Sequence, residues 1–109
     1  MKKTGPLSAL GDYSFDEKTI NIHPNDGYDL GMMTASYVVK IFAGATAEEF
    51  ESGQGKSVYG TIHLKNECRV GSVELSLKVL ERLGKPKQVV LGFETGDDKY
   101  GKLLISPVV

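Results

Sequence analysis

The chain has 109 residues, 40% hydrophobic, 25% charged and 8% aromatic, with no tryptophan, which is the composition of one globular domain with a small core. Thirteen basic and fourteen acidic residues leave a net charge of −1, excluding a histone-like polycation. No apolar run approaches the roughly 20 residues that span a bilayer, no apolar stretch follows the basic start at Lys2 and Lys3, and the single cysteine, Cys68, excludes an intramolecular disulfide and a multi-cysteine zinc site, so a cytoplasmic protein without a secretory signal or membrane association is expected.

Residues 1–34 mix glycine, proline and serine with scattered apolar side chains and read as a weakly ordered N-terminal segment ahead of a compact β-rich domain, 35–109. Within the segment, Tyr13, Phe15, Ile20 and Ile22 bracket the polar residues 16–19 and predict a short hairpin or two brief strands. His23, Pro24, Asn25, Asp26 and Gly27 stack turn formers. Residues 36–43, β-branched and aromatic, predict a strand. Thr46 as N-cap with Glu49 three residues on predicts a short helix opened by a capping box, and residues 52–55 a loop. Residues 58–64 alternate and predict a strand. Asn66 and Glu67 form a turn, and residues 68–75 a second extended piece. Ser76 is an N-cap for a helix over 77–83, whose stripe is Leu77, Leu80 and Leu83 with Val79 beside them. Gly84 ends that helix as C′ residue and Pro86 blocks its continuation. Residues 88–94 and 102–108 are strands joined by a polar turn over 95–101, and no internal repeat is visible. The class is β-rich α+β: a small antiparallel sheet or barrel with one or two short helices, a form compatible with a swapped-hairpin dimer.

The run Arg69, Val70, Gly71, Ser72, Val73, Glu74, Leu75, Ser76 and on through Leu77, Lys78, Val79, Leu80, Glu81, Arg82, Leu83 and Gly84 resembles the signature of the AbrB/SpoVT/MraZ-like swapped-hairpin family. In that family an Arg-Val-containing strand enters a short helix ending in Leu-Gly, followed by a hairpin with an apolar last strand. The resemblance covers about residues 66–107. Ser76 stands where the family usually has proline, and Lys85 to Gln88 where it usually has a Gly-Asp pair. The resemblance implies a homodimer of interleaved hairpins that binds duplex DNA through basic residues. The candidates are Arg69, Lys78, Arg82, Lys85 and Lys87. Lys78, Arg82 and Lys85, spaced by four and three, share one side of the helix and its exit, as a stripe across phosphates would require. Glu74 and Glu81 stand nearby, and the same spacing also suits a solvated face of mixed charge.

Other constellations point to no chemistry. Glu94, Asp97 and Asp98 lack the EF-hand spacing, and the groups His23, Asp26, Asp29 and His63, Cys68 lack a zinc spacing, so no metal is expected. Cys68 reads as a small buried hydrophobe. Gly53, Gly55, Lys56 and Ser57 end like a phosphate-binding loop, but Glu51 stands where its first glycine belongs. No nucleophile arrangement is present, so neither catalysis nor a cofactor is expected. Tyr13, Phe15, Tyr28, Tyr37, Phe42 and Phe50 read as core, and Met32 and Met33 as a core cap or an adaptable contact patch. The expected function is a non-enzymatic DNA-binding or transcription-regulatory protein of swapped-hairpin type. The alternative is a protein-interaction module, such as a phage or mobile-element accessory protein that binds a host or virion protein.

Overall fold

The computed structural model describes residues 1–12, 16–53, 56–95 and 100–108. At its centre β3 (Thr19–Ile22) runs antiparallel to β6 (Ser72–Ser76), with Asn21 facing Glu74 and Ile22 facing Val73. Each has a parallel neighbour on its other side: β5 (Val58–Leu64) beside β3, and β2 (Leu7–Asp12) beside β6. β4 (Ser36–Ala43) then lies antiparallel to β5 and parallel to β8 (Gly101–Pro107). β7 (Gln88–Glu94) is antiparallel to both β8 and β2, which closes a seven-strand barrel. β1 (Lys2–Lys3) extends β2 along β7. At the break between them the Thr4 N–H donates to Leu91 O (2.9 Å), and Thr4 Oγ1 accepts from the Leu91 N–H (3.1 Å).

Alternate residues point inward, as the two-residue period requires. Ile20 and Ile22, Val39 and Ile41, Ile62, Val73 and Leu75, Val89 and Leu91, and Leu103 and Ile105 fill the interior, all at most 2% exposed. A second, smaller cluster lies outside the barrel. Helix α2 (Ala47–Ser52) seats Phe50 edge-on against Phe42 (5.2 Å between centroids), beside Leu104. Its capping box forms as expected, with Thr46 Oγ1 accepting from the Glu49 N–H and Glu49 Oε1 accepting from the Thr46 N–H, each at 3.1 Å. Lys102 Nζ donates to the Phe50 carbonyl at the other end of the helix (3.0 Å), where a cation suits the helix dipole.

The barrel differs from the sequence reading in three respects. Three of its pairings are parallel (β2–β6, β3–β5 and β4–β8); each joins strands that are not neighbours in sequence, through a long connection, which local patterning does not reveal. Among the described residues there are three helices rather than one or two. The extra one, α1 (Pro24–Asp29), is built from the turn formers: Pro24 takes the first helical turn, where its missing N–H costs nothing, and His23 Nδ1 caps by accepting from the Asn25 N–H (3.0 Å). No break in the barrel falls at residue 34: β1, β2, β3 and α1 all precede it, and Leu7, Ile20, Ile22, Leu30 and Met32 belong to the main core. The expected hairpin involves residues 13–15, outside the described residues. The alternative, two brief strands, is met in its second member: Ile20 and Ile22 lie on β3, which pairs with β5 and β6.

A structural repeat also emerges. Asn21 and Glu74 are 53 residues apart, and the same separation relates N-caps His23 and Ser76, six-residue helices α1 and α3 (Leu77–Arg82), C-caps Leu30 and Leu83, and left-handed Gly31 (φ 77°) and Gly84 (φ 85°). Both helices end in the same Schellman pattern. The Gly31 N–H donates to Tyr28 O (2.9 Å) and the Met32 N–H to Gly27 O (3.0 Å). Likewise the Gly84 N–H donates to Glu81 O (3.1 Å) and the Lys85 N–H to Leu80 O (2.8 Å). Parallel pairs β3–β5 and β6–β2 correspond, as do antiparallel pairs β4–β5 and β7–β2.

Where helix meets strand, the two halves are complementary. A Cβ on Gly27 of α1 would lie 2.5 Å from Leu64 of β5, and one on Gly11 of β2 would lie 2.7 Å from Leu80 of α3. Leu80 corresponds to Gly27, and Leu64 to Gly11. Each contact is a leucine over a glycine, with helix and strand roles exchanged. Gly27→Ala is therefore expected to destabilise the native chain by about 1–3 kcal/mol through overpacking. In a Leu64→Ala background the same change becomes neutral or stabilising, up to about 1 kcal/mol, because alanine is the better helix former. Urea unfolding of the four proteins of this double-mutant cycle measures the coupling; equal effects of Gly27→Ala in both backgrounds contradict the packing account.

Candidate functional site

The five basic candidates are all exposed. Lys78 and Arg82 lie on α3, Lys85 takes the residue after Gly84 at its exit with φ 54°, and Lys87 precedes β7. The Ala9 N–H of β2 donates to Lys87 O (2.9 Å). On the other side of β2 the Ser8 N–H donates to Gly71 O (2.8 Å), two residues beyond Arg69. Lys87 and Arg69 thus flank β2 from opposite sides. α3 packs on β2 and β6 through buried Val79 and Leu80, which turns Lys78 and Arg82 outward.

The repeat supplies an internal comparison. The positions equivalent to Lys78, Arg82 and Lys85 are Asn25, Asp29 and Met32. Arg69 corresponds to Asp16, in a matching turn: Ser72 N–H to Arg69 O (3.1 Å) against Thr19 N–H to Asp16 O (3.4 Å). The strand–helix–glycine unit forms in α1 without one cation at these places. The charges are therefore not required for the helix, its cap or its packing.

Arg82 touches one acidic group among the described residues: Nη2 lies 3.4 Å from Glu17 Oε1, with the side chains 49% and 31% exposed. Such a partly solvated pair is worth about 0–1 kcal/mol. Beneath it opens a cleft of about 500 Å³ at the α3 mouth of the barrel, with Ile41, Ala43, Val58 and Val79 as apolar lining and Glu17, Lys56, Ser57 and Arg82 as polar lining. Lys56 was legible only as the end of a glycine-rich loop, whose residues 54 and 55 lie outside the described residues. Glu17 had no signal, because only the fold brings the β2–β3 connection next to α3.

Other candidates serve the fold. His23 is a cap, and buried Asp26 accepts from the Gly71 N–H (2.8 Å), tying α1 to the β5–β6 connection. His63 is half-buried on β5. Among the described residues no group of three or more His, Cys, Asp and Glu is placed to hold a metal; Asp97 and Asp98 lie outside them. Phe42 and Phe50 are core as expected and Tyr37 is half-buried, whereas Tyr28 is 69% exposed because it sits on the outer side of α1. Tyr13 and Phe15 lie outside the described residues. Met32 is buried and Met33 is 79% exposed. Tyr28 and Met33 rim a groove of about 360 Å³ that is also lined by Pro24, Met32 and Leu64. Tyr37 Oη supports the groove by accepting from the Met33 N–H (2.8 Å), a bond that favours the phenolate and, as the largest cause, lowers the Tyr37 pKa. Among the described residues no helix is long and apolar enough to cross a membrane.

Cys68 is buried beside Glu74, and burial first, then the Glu74 carboxylate, pushes its thiol up from the ordinary value. A thiol held protonated is a poor nucleophile. Alkylation of the folded chain by iodoacetamide at pH 8 should be far slower than that of the urea-unfolded chain, read by intact mass. With a raised folded pKa, the stability contribution of Cys68 is full below about pH 8.5 and is lost as pH rises through the folded value. Equal alkylation rates for the two states contradict this placement.

No protein-family model, curated protein or solved structure matches this chain.

Proposed function

We propose that this chain is a non-enzymatic, cytoplasmic DNA-binding protein of the transcription-regulatory kind, contacting duplex phosphates through Lys78, Arg82 and Lys85 on α3 and its exit, flanked by Lys87 and Arg69. The observation that carries the reading is the asymmetry between the halves: cations stand on one copy of the strand–helix unit, and asparagine, aspartate and methionine on the other. Surface charge that a fold does not need, gathered along one helix and beside one strand, matches a row of phosphates. A homodimer, which the family resemblance implies, would double the row.

Fluorescence anisotropy with a labelled mixed-sequence duplex tests the proposal. Four phosphate contacts would cost about fifty-fold in affinity between about 50 and about 150 mM salt. Lys78→Glu/Lys85→Glu is expected to weaken binding at least tenfold and to flatten the salt slope. Asn25→Glu/Tyr28→Glu, on the exposed side of α1, should leave binding within twofold. Equal losses from the two double variants, or no retention at low salt, would overturn the reading.

A second reading, a protein-interaction module, is favoured by the α1 groove with its exposed Tyr28 and Met33. Methionine and tyrosine at the rim of an apolar groove suit an adaptable protein contact. Binding there would be nearly independent of salt and sensitive to Asn25→Glu/Tyr28→Glu, the reverse of the DNA pattern.

A further inference from the structure

We propose that the cleft at the α3 mouth binds an amphipathic carboxylate, with its head on Arg82 and Lys56 and its apolar body against Ile41, Val58 and Val79. This goes beyond the DNA reading and does not depend on it. The volume, about 500 Å³, lies within the range of small-molecule sites, which combine an apolar lining with a few convergent polar groups. Ile41 and Val79 are core residues, 2% and 4% exposed, so the floor is fixed by the barrel and by α3 rather than by a loop. At the mouth stand two cations and one anion, Glu17, a net charge of +1 that a monoanion neutralises. A dianionic head would leave a negative charge beside Glu17, and a neutral ligand would leave one positive charge without a counter-charge at the mouth.

Arg82 can also accept such a ligand geometrically. Its contact with Glu17, at 3.4 Å, is longer than the 2.7–2.9 Å of a strong charge-assisted hydrogen bond. A guanidinium offers five N–H donors in a planar fork that matches a carboxylate with two parallel bonds. No other partner of Arg82, and none of Lys56, occurs among the described residues. Both are exposed, so the head group would be held at the mouth while the body enters the cleft.

Decanoate is the probe, titrated into the full chain and followed by calorimetry and by amide chemical shifts, with decanol and acetate as separate arms. Saturable one-to-one binding of decanoate is expected, with shifts centred on Lys56, Val58, Val79 and Arg82. Decanol and acetate should each bind at least tenfold more weakly. Arg82→Gln and Lys56→Gln, both surface changes, should each weaken decanoate at least fivefold, with circular dichroism confirming the fold. Lys85→Gln/Lys87→Gln, neutral changes at two exposed positions outside the cleft lining, should leave decanoate affinity within about twofold while weakening DNA binding, so failure here and failure of the DNA reading are separate outcomes. Decanol binding as tightly as decanoate, indifference to both Gln variants, or no saturable binding at millimolar decanoate would each overturn the proposal.

Discussion

The architecture depends on one pairing, the antiparallel contact of β3 with β6. Each strand leads directly into a six-residue helix, through His23 in one case and Ser76 in the other. Because the strands run in opposite directions, the helices must leave at opposite ends of the barrel. α1 and its exit plug one mouth with Leu30 and Met32, and α3 plugs the other with Val79 and Leu80. A one-residue slip between β3 and β6 would turn the inward pair of whichever strand moves, Ile20 and Ile22 or Val73 and Leu75, out of the core and shift the helix that follows it off its mouth. On the outer side of this ladder Asn21 Nδ2 donates to Glu74 Oε1 (3.0 Å), while the buried Asn21 Oδ1 has no partner among the described residues. A polar pair at this crossing adds directionality that an apolar pair lacks, although leaving one oxygen unmatched costs stability.

Two halves built on one plan need not carry like residues, and the leucine-over-glycine contacts show why. A helix can approach a strand closely when either surface supplies the hollow. Here Gly27 supplies it on α1 and Gly11 on β2. Each solution satisfies packing density, and each erases identity at two positions of the repeat. The charges diverge for another reason: positions on the outer side of the helices are free of packing demands. Asn25 and Asp29 stand against Lys78 and Arg82 without any difference in the helices that carry them.

What could be read in the sequence follows from how local each cause is. The capping box at Thr46 and Glu49, the stop at Gly84 and Pro86, and the strands over 36–43, 58–64 and 88–94 are set by residues within one or two turns of each other, and all form at the expected places. The stretch from His23 to Gly27 misleads because proline, asparagine, aspartate and glycine favour turns as strongly as first helical turns, and the deciding contacts, Leu64 over Gly27 and Asp26 to Gly71, come from far along the chain. The parallel pairings are non-local in the same way. Of the site, spacing alone placed Lys78, Arg82 and Lys85 together. The cleft was out of reach, since Glu17, Lys56 and Arg82 arrive from the β2–β3 connection, the α2–β5 connection and α3.

Arg82 is the point at which the two proposed sites meet. It belongs to the basic stripe by helical spacing and to the cleft by position, and its loose contact with Glu17 commits it to neither. A guanidinium engaged in two parallel bonds to a carboxylate would no longer be oriented for a phosphate outside the cleft, so occupancy of one proposed site would draw on the other. Coupling of this kind is reciprocal: whatever factor a carboxylate removes from DNA affinity, DNA removes from carboxylate affinity. With one of several proposed phosphate contacts at stake, the factor would be modest, on the order of tenfold or less. Glu17 sets its baseline, because it already neutralises part of the charge that either ligand would take.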